Sequence, residues 1–392
     1  PEVAILIPDT TGRACGGLCV SCQRMYDFQN GHLNFDLEEL KPAGTWWERL
    51  PKLLSYYEND AQLRDILITG GDALMSSDNS LKRILDEVYA MALRKKESNK
   101  IREEGKKYAE MKRIRLGTRL PVYLPQRITD SLVEILREFK QKASEIGFDQ
   151  FVIQTHFESA MEVTPESAEG IRKLVSAGWT VTNQLVFTAA ASRRGHTAKL
   201  RKVLNDIGVL TYYTFTVKGY KENAFTFANN ARAMQEQLEE KYIGTVPENF
   251  HDLIMDFSQN AEEMIENIES LRQVCEIPFL ATDRNVLNLP GVGKSLTYRT
   301  IGITNDGRRI LEFDHDHTRR HSPIINKMGK VVIIESRSIT EYLNRLKDMG
   351  ENLGEYDNVW GYSLGETEKV MPVFTYPDYP FEITDEFTNL EV

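Results

Sequence analysis

Short hydrophobic runs rich in β-branched residues alternate with longer stretches of helical periodicity through roughly the first 220 residues. The short runs predict six strands, at residues 3–7, 65–69, 113–116, 150–154, 180–187 and 211–217. The longer stretches predict helices at residues 45–59, 81–95, 129–144, 165–177 and 197–206. Six strands in series, with a helix between each strand and the next, predict an α/β fold with a parallel sheet and right-handed crossovers, either doubly wound or curved as in a barrel.

One helix start is marked by several signals at once. Thr164, Pro165 and Glu166 supply a capping hydroxyl, a proline at the first helical position and an acid in the first turn. Residues 95–113, by contrast, are dense in Lys, Arg and Glu, which predicts a solvent-exposed helix.

The second half of the chain has a different residue pattern. Residues 231–271 are acidic and helix-patterned, with a turn signal at 247–249, and predict a helical insertion. Asn305-Asp306-Gly307 lies between two β-type runs and predicts a hairpin, and the proline-rich stretch 376–380 predicts an extended arm. We expect a βα core over 1–230, a helical insertion over 231–273 and a third part over 274–392.

Composition and charge exclude several classes of protein. The 392 residues are 41% hydrophobic and 27% charged, as in ordinary globular proteins, so general disorder is excluded. No apolar run approaches the roughly 18 residues of a membrane helix, and we expect no signal peptide. The net charge of −10 argues against nucleic acid as the main partner. The chain starts at Pro1, directly before a strand, so we expect it to be part of a longer protein.

Three of the four cysteines crowd into eight residues, at Cys15, Cys19 and Cys22, whereas Cys275 stands alone. Four cysteines are too few for a disulfide scaffold and indicate a reducing compartment with a cysteine-ligated metal. Spacings of three and two residues suit three corners of a cubane iron–sulfur cluster, whose fourth iron stays open to a chelating molecule. The alternative is a zinc site completed by Cys275 or a histidine, but the second Cys pair typical of structural zinc is missing.

A second signal follows the second predicted strand, at Thr69-Gly70-Gly71-Asp72. Two glycines allow a close backbone approach to a ligand, and the carboxylate can hold an ammonium group. Alone, the same residues are also compatible with a simple turn.

The cysteine spacing, on the loop after the first strand, resembles that of the radical S-adenosylmethionine (SAM) enzymes. Further segments resemble the lysine 2,3-aminomutase family in the same order, over roughly residues 3 to 300; they are 124–129, 154–157, 162–166 and 183–184. The resemblance implies a partial (β/α)6 TIM-type barrel with helical insertions and a C-terminal β-containing extension. It also implies a [4Fe-4S] cluster on the three clustered cysteines, and SAM held by Gly70, Gly71, Asp72, Arg119, His156 and Gln184.

The segment Pro290-Gly291-Val292-Gly293-Lys294-Ser295 ends like a phosphate-binding loop. The first glycine of that motif is replaced by Asn288, so the phosphate loop is rejected. By resemblance, Lys294 matches the catalytic lysine that carries pyridoxal 5′-phosphate (PLP), with one glycine fewer before it than in the family. Arg24 matches the arginine that binds the α-carboxylate of the substrate, for which a guanidinium fork is well suited.

The activity implied is an isomerase that moves an amino group from C2 to C3 of an L-amino acid through a PLP-bound radical. Where the lysine enzyme has two aspartates for the distant ammonium group of its substrate, this chain has Lys218 and Asn288. A cation and an amide favour a carboxylate, as in the related glutamate 2,3-aminomutases, so we expect L-glutamate to become β-glutamate. The alternatives are another amino acid, or a degenerate iron–sulfur binding or regulatory member of the family.

The resemblance also sets expectations about partners and location. We expect a small amino-acid substrate and a reductant such as flavodoxin or ferredoxin, with neither nucleic acid nor membrane as a partner. We further expect a homo-oligomer in the cytoplasm.

Overall fold

The structure is a computed structural model that describes residues 2–7, 15, 19, 45–69, 71–217, 226–236, 247–250, 252, 264–275, 284–289, 292–294, 299–313, 330–357 and 359–360. Its strands are β1 (Val3–Leu6), β2 (Asp65–Ile68), β3 (Arg113–Gly117), β4 (Gln150–Thr155), β5 (Thr180–Val186), β6 (Val209–Val217), β7 (Arg284–Leu289), β8 (Val292–Lys294), β9 (Arg299–Ile303), β10 (Arg309–Phe313) and β11 (Val331–Ile334). Its α-helices are α1 (Trp46–Asn59), α2 (Asp78–Asn99), α3 (Leu120–Tyr123), α4 (Asp130–Glu145), α5 (Pro165–Ser176), α6 (His196–Asp206), α7 (Asn230–Gln235), α8 (Met264–Val274) and α9 (Ile339–Asp348).

Strands β1 to β8 form one sheet in strictly consecutive order, and β1 to β7 pair in parallel. A doubly wound sheet reverses its strand order at a switch point, so this order excludes that alternative. Right-handed crossovers that all advance in one direction place their helices on one face of the sheet. Consistent with this, α1 packs on α2, α2 on α4, and α4 on α5. The fold is therefore a mixed α/β fold built on a parallel sheet.

The main hydrophobic core fills the space between the sheet and this helical layer. On the strands, Ile66, Ile114 and Ile153 are fully buried. Four aromatic rings, those of Phe139, Phe148, Phe151 and Trp179, lie 5.5 to 6.3 Å apart between α4 and strands β4 and β5, mostly in edge or tilted contacts. These ring contacts pack α4 closely against strands β4 and β5.

The predicted elements of the core are confirmed, with bounds that differ by a few residues. At the marked helix start, the Thr164 hydroxyl accepts a hydrogen bond from the backbone N–H of Ser167. The hairpin is also confirmed, since β9 and β10 pair antiparallel around Gly307, whose φ of +79° is in the region that favours glycine. Strand β7 adds a seventh parallel strand that the hydrophobic pattern did not predict.

The prediction for residues 95–113 is wrong. Helix α2 ends at Asn99, and turns and irregular chain lead from there to β3. Lys95 is completely buried because it continues the apolar face of α2, and its ammonium group donates a hydrogen bond of 2.7 Å to the carbonyl oxygen of Leu63. The density of charged residues did not predict this burial, because a lysine can bury its aliphatic carbons while its ammonium group binds a backbone carbonyl.

A second hydrophobic core lies outside the main one. Tyr342, Leu343 and Leu346 of α9 pack there against Phe187 and Ala189, which follow β5. Strands β9 to β11 form a separate three-stranded antiparallel sheet. The described parts of 231–271 are helical, as predicted, and 376–380 lies outside the described residues; the three-part division of the chain stays a prediction.

Candidate active site

The carboxyl ends of β2, β3 and β4 bring three of the residues expected around SAM into one network. The backbone N–H of Arg119 donates to Oδ2 of Asp72 at 2.7 Å, and Nε of Arg119 donates to the carbonyl oxygen of His156 at 3.0 Å. The His156 imidazole is hydrogen-bonded to the backbone of Gln184 on β5. Parallel strands in consecutive order place the residues that follow them at one edge, where barrel-type enzymes keep their sites.

Asp72 is 3% exposed and accepts four hydrogen bonds. Its Oδ1 receives the N–H of Leu74 and the hydroxyl of Thr118, and its Oδ2 receives the N–H of Arg119 and the hydroxyl of Tyr123. Four donors fill the acceptor capacity of a carboxylate. Asp72 therefore holds the loop after β2 against the loop after β3, and its role toward the ammonium group of SAM stays a prediction. The preceding residue, Gly71, has a φ of +130°, a backbone conformation that would be strained in a residue with a side chain.

Arg119 is the hub of the network, because each guanidinium nitrogen meets a different part of the chain. Besides its Nε contact, Nη1 donates to Sγ of Cys19 at 3.1 Å, and Nη2 donates to Oε1 of Glu162 at 2.6 Å. Burial opposes the charge, but Glu162 and Cys19 outweigh it and raise the pKa of Arg119 above its ordinary value. The hub is a fixed cation.

The cysteine motif is described at two of its three positions. Cys15 is exposed, Cys19 is half-buried against Arg119, and Cys22 lies outside the described residues. Among the described residues, no group of three or more His, Cys, Asp or Glu side chains is arranged to hold a metal. Cys275 packs against the second core, with α9.

Sequence reasoning missed Glu158, which follows β4. Both of its carboxyl oxygens accept from the N–H of Val186, at 3.1 and 3.3 Å, and its own N–H donates to Oε2 of Glu162 at 2.7 Å. Burial raises the pKa of Glu158 to about 8, whereas burial and then the charge of Arg119 lower the pKa of His156 to about 4. A glutamate in a polar loop carries no sequence signal for such burial; its only signal was its place two residues after His156.

Glu162 and His196 complete this side of the site. Glu162 lies in one of the segments that resemble the lysine 2,3-aminomutase family, but the sequence predicted no role for it. It bridges Arg119 and the Glu158 backbone. The His196 ring lies 2.6 Å from the carbonyl oxygen of Glu158 through Nε2. The carboxylate of Glu162 thus balances the Arg119 cation, while Glu158 is largely neutral at pH 7.

The remaining expected residues are described only in part. Gly70, Arg24 and Lys218 lie outside the described residues, as do the side chains of Asn288 and Lys294. The backbones of β7 and β8 pair antiparallel, with Asn288 opposite Gly293 and Leu287 opposite Lys294. The segment at Lys294 is therefore a strand, and β7 and β8 form a hairpin rather than the strand–loop–helix of a phosphate-binding loop.

Comparison with known proteins finds relatives among KamA-family proteins and among lysine and glutamate 2,3-aminomutases. The chain is 30% identical over 354 residues to an uncharacterized KamA-family protein of Methanocaldococcus jannaschii, covering 89% of this chain and 46% of that protein. It is 32% identical over 169 residues to an L-lysine 2,3-aminomutase of Methanococcus maripaludis, covering 43% and 33%. It is 29% identical over 210 residues to a glutamate 2,3-aminomutase of Clostridioides difficile, covering 53% and 41%.

These relatives are homologues, and the chain spans between a third and a half of their length. No protein-family model matches the chain. The identity to the glutamate enzyme does not exceed that to the lysine enzymes, so these comparisons leave the substrate open. In the described part of the chain, no helix is both long and apolar enough to cross a membrane.

Proposed function

We propose that this chain carries the catalytic core of a radical SAM, PLP-dependent 2,3-aminomutase. The observation that carries the proposal is the combination of homology to lysine and glutamate 2,3-aminomutases with the contact between Cys19 and the strand-end network. Under this proposal the consecutive parallel strands form a partial (β/α)6-type barrel, to which β7 and the β8 hairpin are added.

The residues at the strand ends fit a cysteine-ligated cluster chemically. The guanidinium of Arg119 donates to Sγ of Cys19 at 3.1 Å, which places positive charge and an N–H donor beside a sulfur that would ligate the negatively charged cluster. Cys15, Cys19 and Cys22 would hold the cluster. When bound, the cluster, SAM and PLP together supply a substrate radical and a nitrogen that can move between adjacent carbons.

The network beside Cys19 would orient SAM. Asp72 fixes the backbone of Arg119 and the course of the loop after β2, which carries Gly70 and Gly71. His156 has its pKa lowered to about 4, so at neutral pH it offers a neutral imidazole and not a second cation. His156 and Gln184 would therefore contribute hydrogen bonds to SAM rather than charge.

The substrate end of the site is proposed from residues near β6 to β8. Lys294 would bind PLP, and Arg24 would bind the α-carboxylate of the substrate. Val217 at the end of β6 pairs in parallel with Leu287, and Lys218 and Asn288 follow these two residues directly in the sequence. This register supports a shared role in binding one distant substrate group. A cation and an amide select a carboxylate, so we propose L-glutamate as substrate and β-glutamate as product.

The experiment is anaerobic reconstitution with iron, sulfide, PLP and SAM, followed by a screen of amino acids for β-isomers. The proposal predicts β-glutamate from L-glutamate, and loss of the cluster in Cys22→Ala but not in Cys275→Ala. Isomerisation of lysine alone would support the aminomutase and contradict its substrate. Cluster binding without turnover of any amino acid would favour a binding or regulatory protein, and bound zinc in place of iron would contradict the proposal.

The electron donor, a homo-oligomeric state and a cytoplasmic location remain proposals of the same kind. A flavodoxin or ferredoxin that reduces the reconstituted cluster would identify the class of donor.

A further inference from the structure

The guanidinium of Arg119 is held from three sides. It contacts the carbonyl oxygen of His156 at 3.0 Å, Sγ of Cys19 at 3.1 Å and Oε1 of Glu162 at 2.6 Å. Each nitrogen of the fork therefore has one acceptor, and the sulfur receives one of the three bonds. A planar guanidinium can satisfy such a set without rotating.

The anchors of this guanidinium are themselves fixed. The backbone N–H of Arg119 is bound to Asp72, and Oε2 of Glu162 accepts from the backbone N–H of Glu158. Arg119 and Glu162 are 21% and 24% exposed, so water screens their charges only partly. The N–H group that faces Cys19 is thus preorganised by protein contacts alone.

A cluster ligated by Cys19 would sense this arrangement electrostatically. Hydrogen bonds to cluster sulfurs and nearby positive charge favour the reduced state, because reduction adds negative charge. A nearby carboxylate has the opposite effect. The two members of the Arg119–Glu162 ion pair should therefore shift the reduction potential in opposite directions.

Resting on the proposed function, which supplies the cluster, we propose that Arg119 is a positioning residue whose N–H···S bond to Cys19 raises the reduction potential of the cluster. Glu162 aims the guanidinium at the sulfur and offsets part of its charge. Arg119 thereby acts on the cluster through its ligand, in addition to any contact with SAM.

The test is the midpoint potential of the reconstituted cluster without SAM. It is measured through the electron paramagnetic resonance signal of the reduced cluster. Arg119→Gln should lower the equilibrium constant of the one-electron reduction about tenfold, which corresponds to a midpoint potential lower by about 59 mV. Arg119→Lys should recover part of this shift, because it restores the charge without the fork. Glu162→Gln should shift the potential upward, because it removes a negative charge and keeps an acceptor for Nη2.

Opposite signs separate this role from a structural one, since general loosening of the site would move both variants in the same direction. Arg127→Gln is the matched control. Arg127 is 20% exposed and pairs with Asp78 at 2.7 Å, but it binds the backbone of Ser76 and not a cysteine. Its substitution should leave the potential unchanged.

A measurement on the unaltered protein covers the case in which the variants fail to assemble. Wild-type protein labelled with ¹⁵N-arginine should show a weak ¹⁵N coupling to the reduced cluster in pulsed resonance spectra. Absence of this coupling, or an unchanged potential in Arg119→Gln at full iron content, would overturn the inference and leave the aminomutase proposal intact. A wild-type protein that takes up no cluster would overturn both.

Discussion

The phenolic hydroxyl of Tyr123 donates a hydrogen bond of 2.6 Å to Oδ2 of Asp72, the same oxygen that receives the backbone N–H of Arg119. Tyr123 belongs to α3, and Asp72 follows β2, so one carboxylate joins two loops that are about 50 residues apart in the chain. The geometry beside Cys19 therefore depends on a carboxylate that is saturated within the protein.

Asp72→Asn should destabilise the protein by about 2–5 kcal/mol, because the amide NH2 would face donors that a carboxylate accepts. Tyr123→Phe removes only one donor and should cost about 1.5–3 kcal/mol. Tyr56→Phe, at a 61% exposed tyrosine, is the control and should stay within about 0.5 kcal/mol. Urea unfolding of the metal-free protein measures all three, and an Asp72→Asn protein as stable as wild type would contradict the role assigned to this carboxylate.

Glu158→Gln should stabilise the protein at pH 9 and leave its stability at pH 5 nearly unchanged. Because the pKa of Glu158 is raised from 4.5 to about 8, the folded state binds more protons than the unfolded state between these values. This group therefore makes the protein less stable as the pH rises through that window. Glutamine keeps the acceptor for Val186 and removes the charge, so the gain at pH 9 should be about 1–3 kcal/mol.

The comparison needs unfolding curves at both pH values for wild type, Glu158→Gln and the exposed control Glu166→Gln. The control should change stability by the same small amount at pH 5 and pH 9. If Glu158→Gln also behaves in that way, Glu158 is not the half-buried, largely neutral group described above.

Lys294→Ala should lose bound PLP and turnover while keeping the cluster. Borohydride reduction of the wild-type holoprotein should fix PLP to Lys294, as mass spectrometry of its peptides can show. Lys330→Ala is a control, because Lys330 is exposed and pairs with Glu312 at 2.9 Å. Reduced PLP attached to any other lysine would contradict the assignment.

Lys218→Ala should lower glutamate turnover by roughly 30- to several-thousand-fold, because removing one partner of a desolvated charge pair costs about 2–5 kcal/mol. Asn288→Ala should have a smaller effect, since it removes a neutral hydrogen-bond donor. Lys199→Ala, an exposed lysine on α6, should leave turnover unchanged. Steady-state rates with glutamate provide the comparison, and a Lys218→Ala enzyme of full activity would contradict the proposed carboxylate site.

The strands and helices of the βα core could be predicted because their periodicity reflects burial on one or two faces. The start of α5 was predicted for a similar reason, since Thr164 satisfies an N–H group that the helix leaves open. Lys95 shows the limit of charge patterns, because its burial depends on the carbonyl of Leu63, 32 residues away in sequence.

The roles predicted for the site residues stay predictions, but the structure shows which of these residues lie together. Asp72, Arg119 and His156 were identified through the resemblance, and the parallel strands bring them together. The bonds between them could not be predicted, because the saturation of Asp72 and the burial of Glu158 depend on contacts between loops of different strands. The strand at Lys294 was missed because a glycine-rich segment shows no strand pattern until it pairs with β7.

The most direct test of the central claim is to follow the amino nitrogen during turnover. The reconstituted enzyme is supplied under anaerobic conditions with SAM, a reductant and L-glutamate labelled with ¹³C at C2 and with ¹⁵N, and the mixture is followed by NMR. We predict that the ¹⁵N label is retained and bonded to C3 in β-glutamate, while the labelled C2 loses its ¹³C–¹⁵N coupling and becomes a methylene carbon. A protein that binds cluster, SAM and PLP yet leaves the nitrogen of glutamate and of every other amino acid at C2 would contradict the claim.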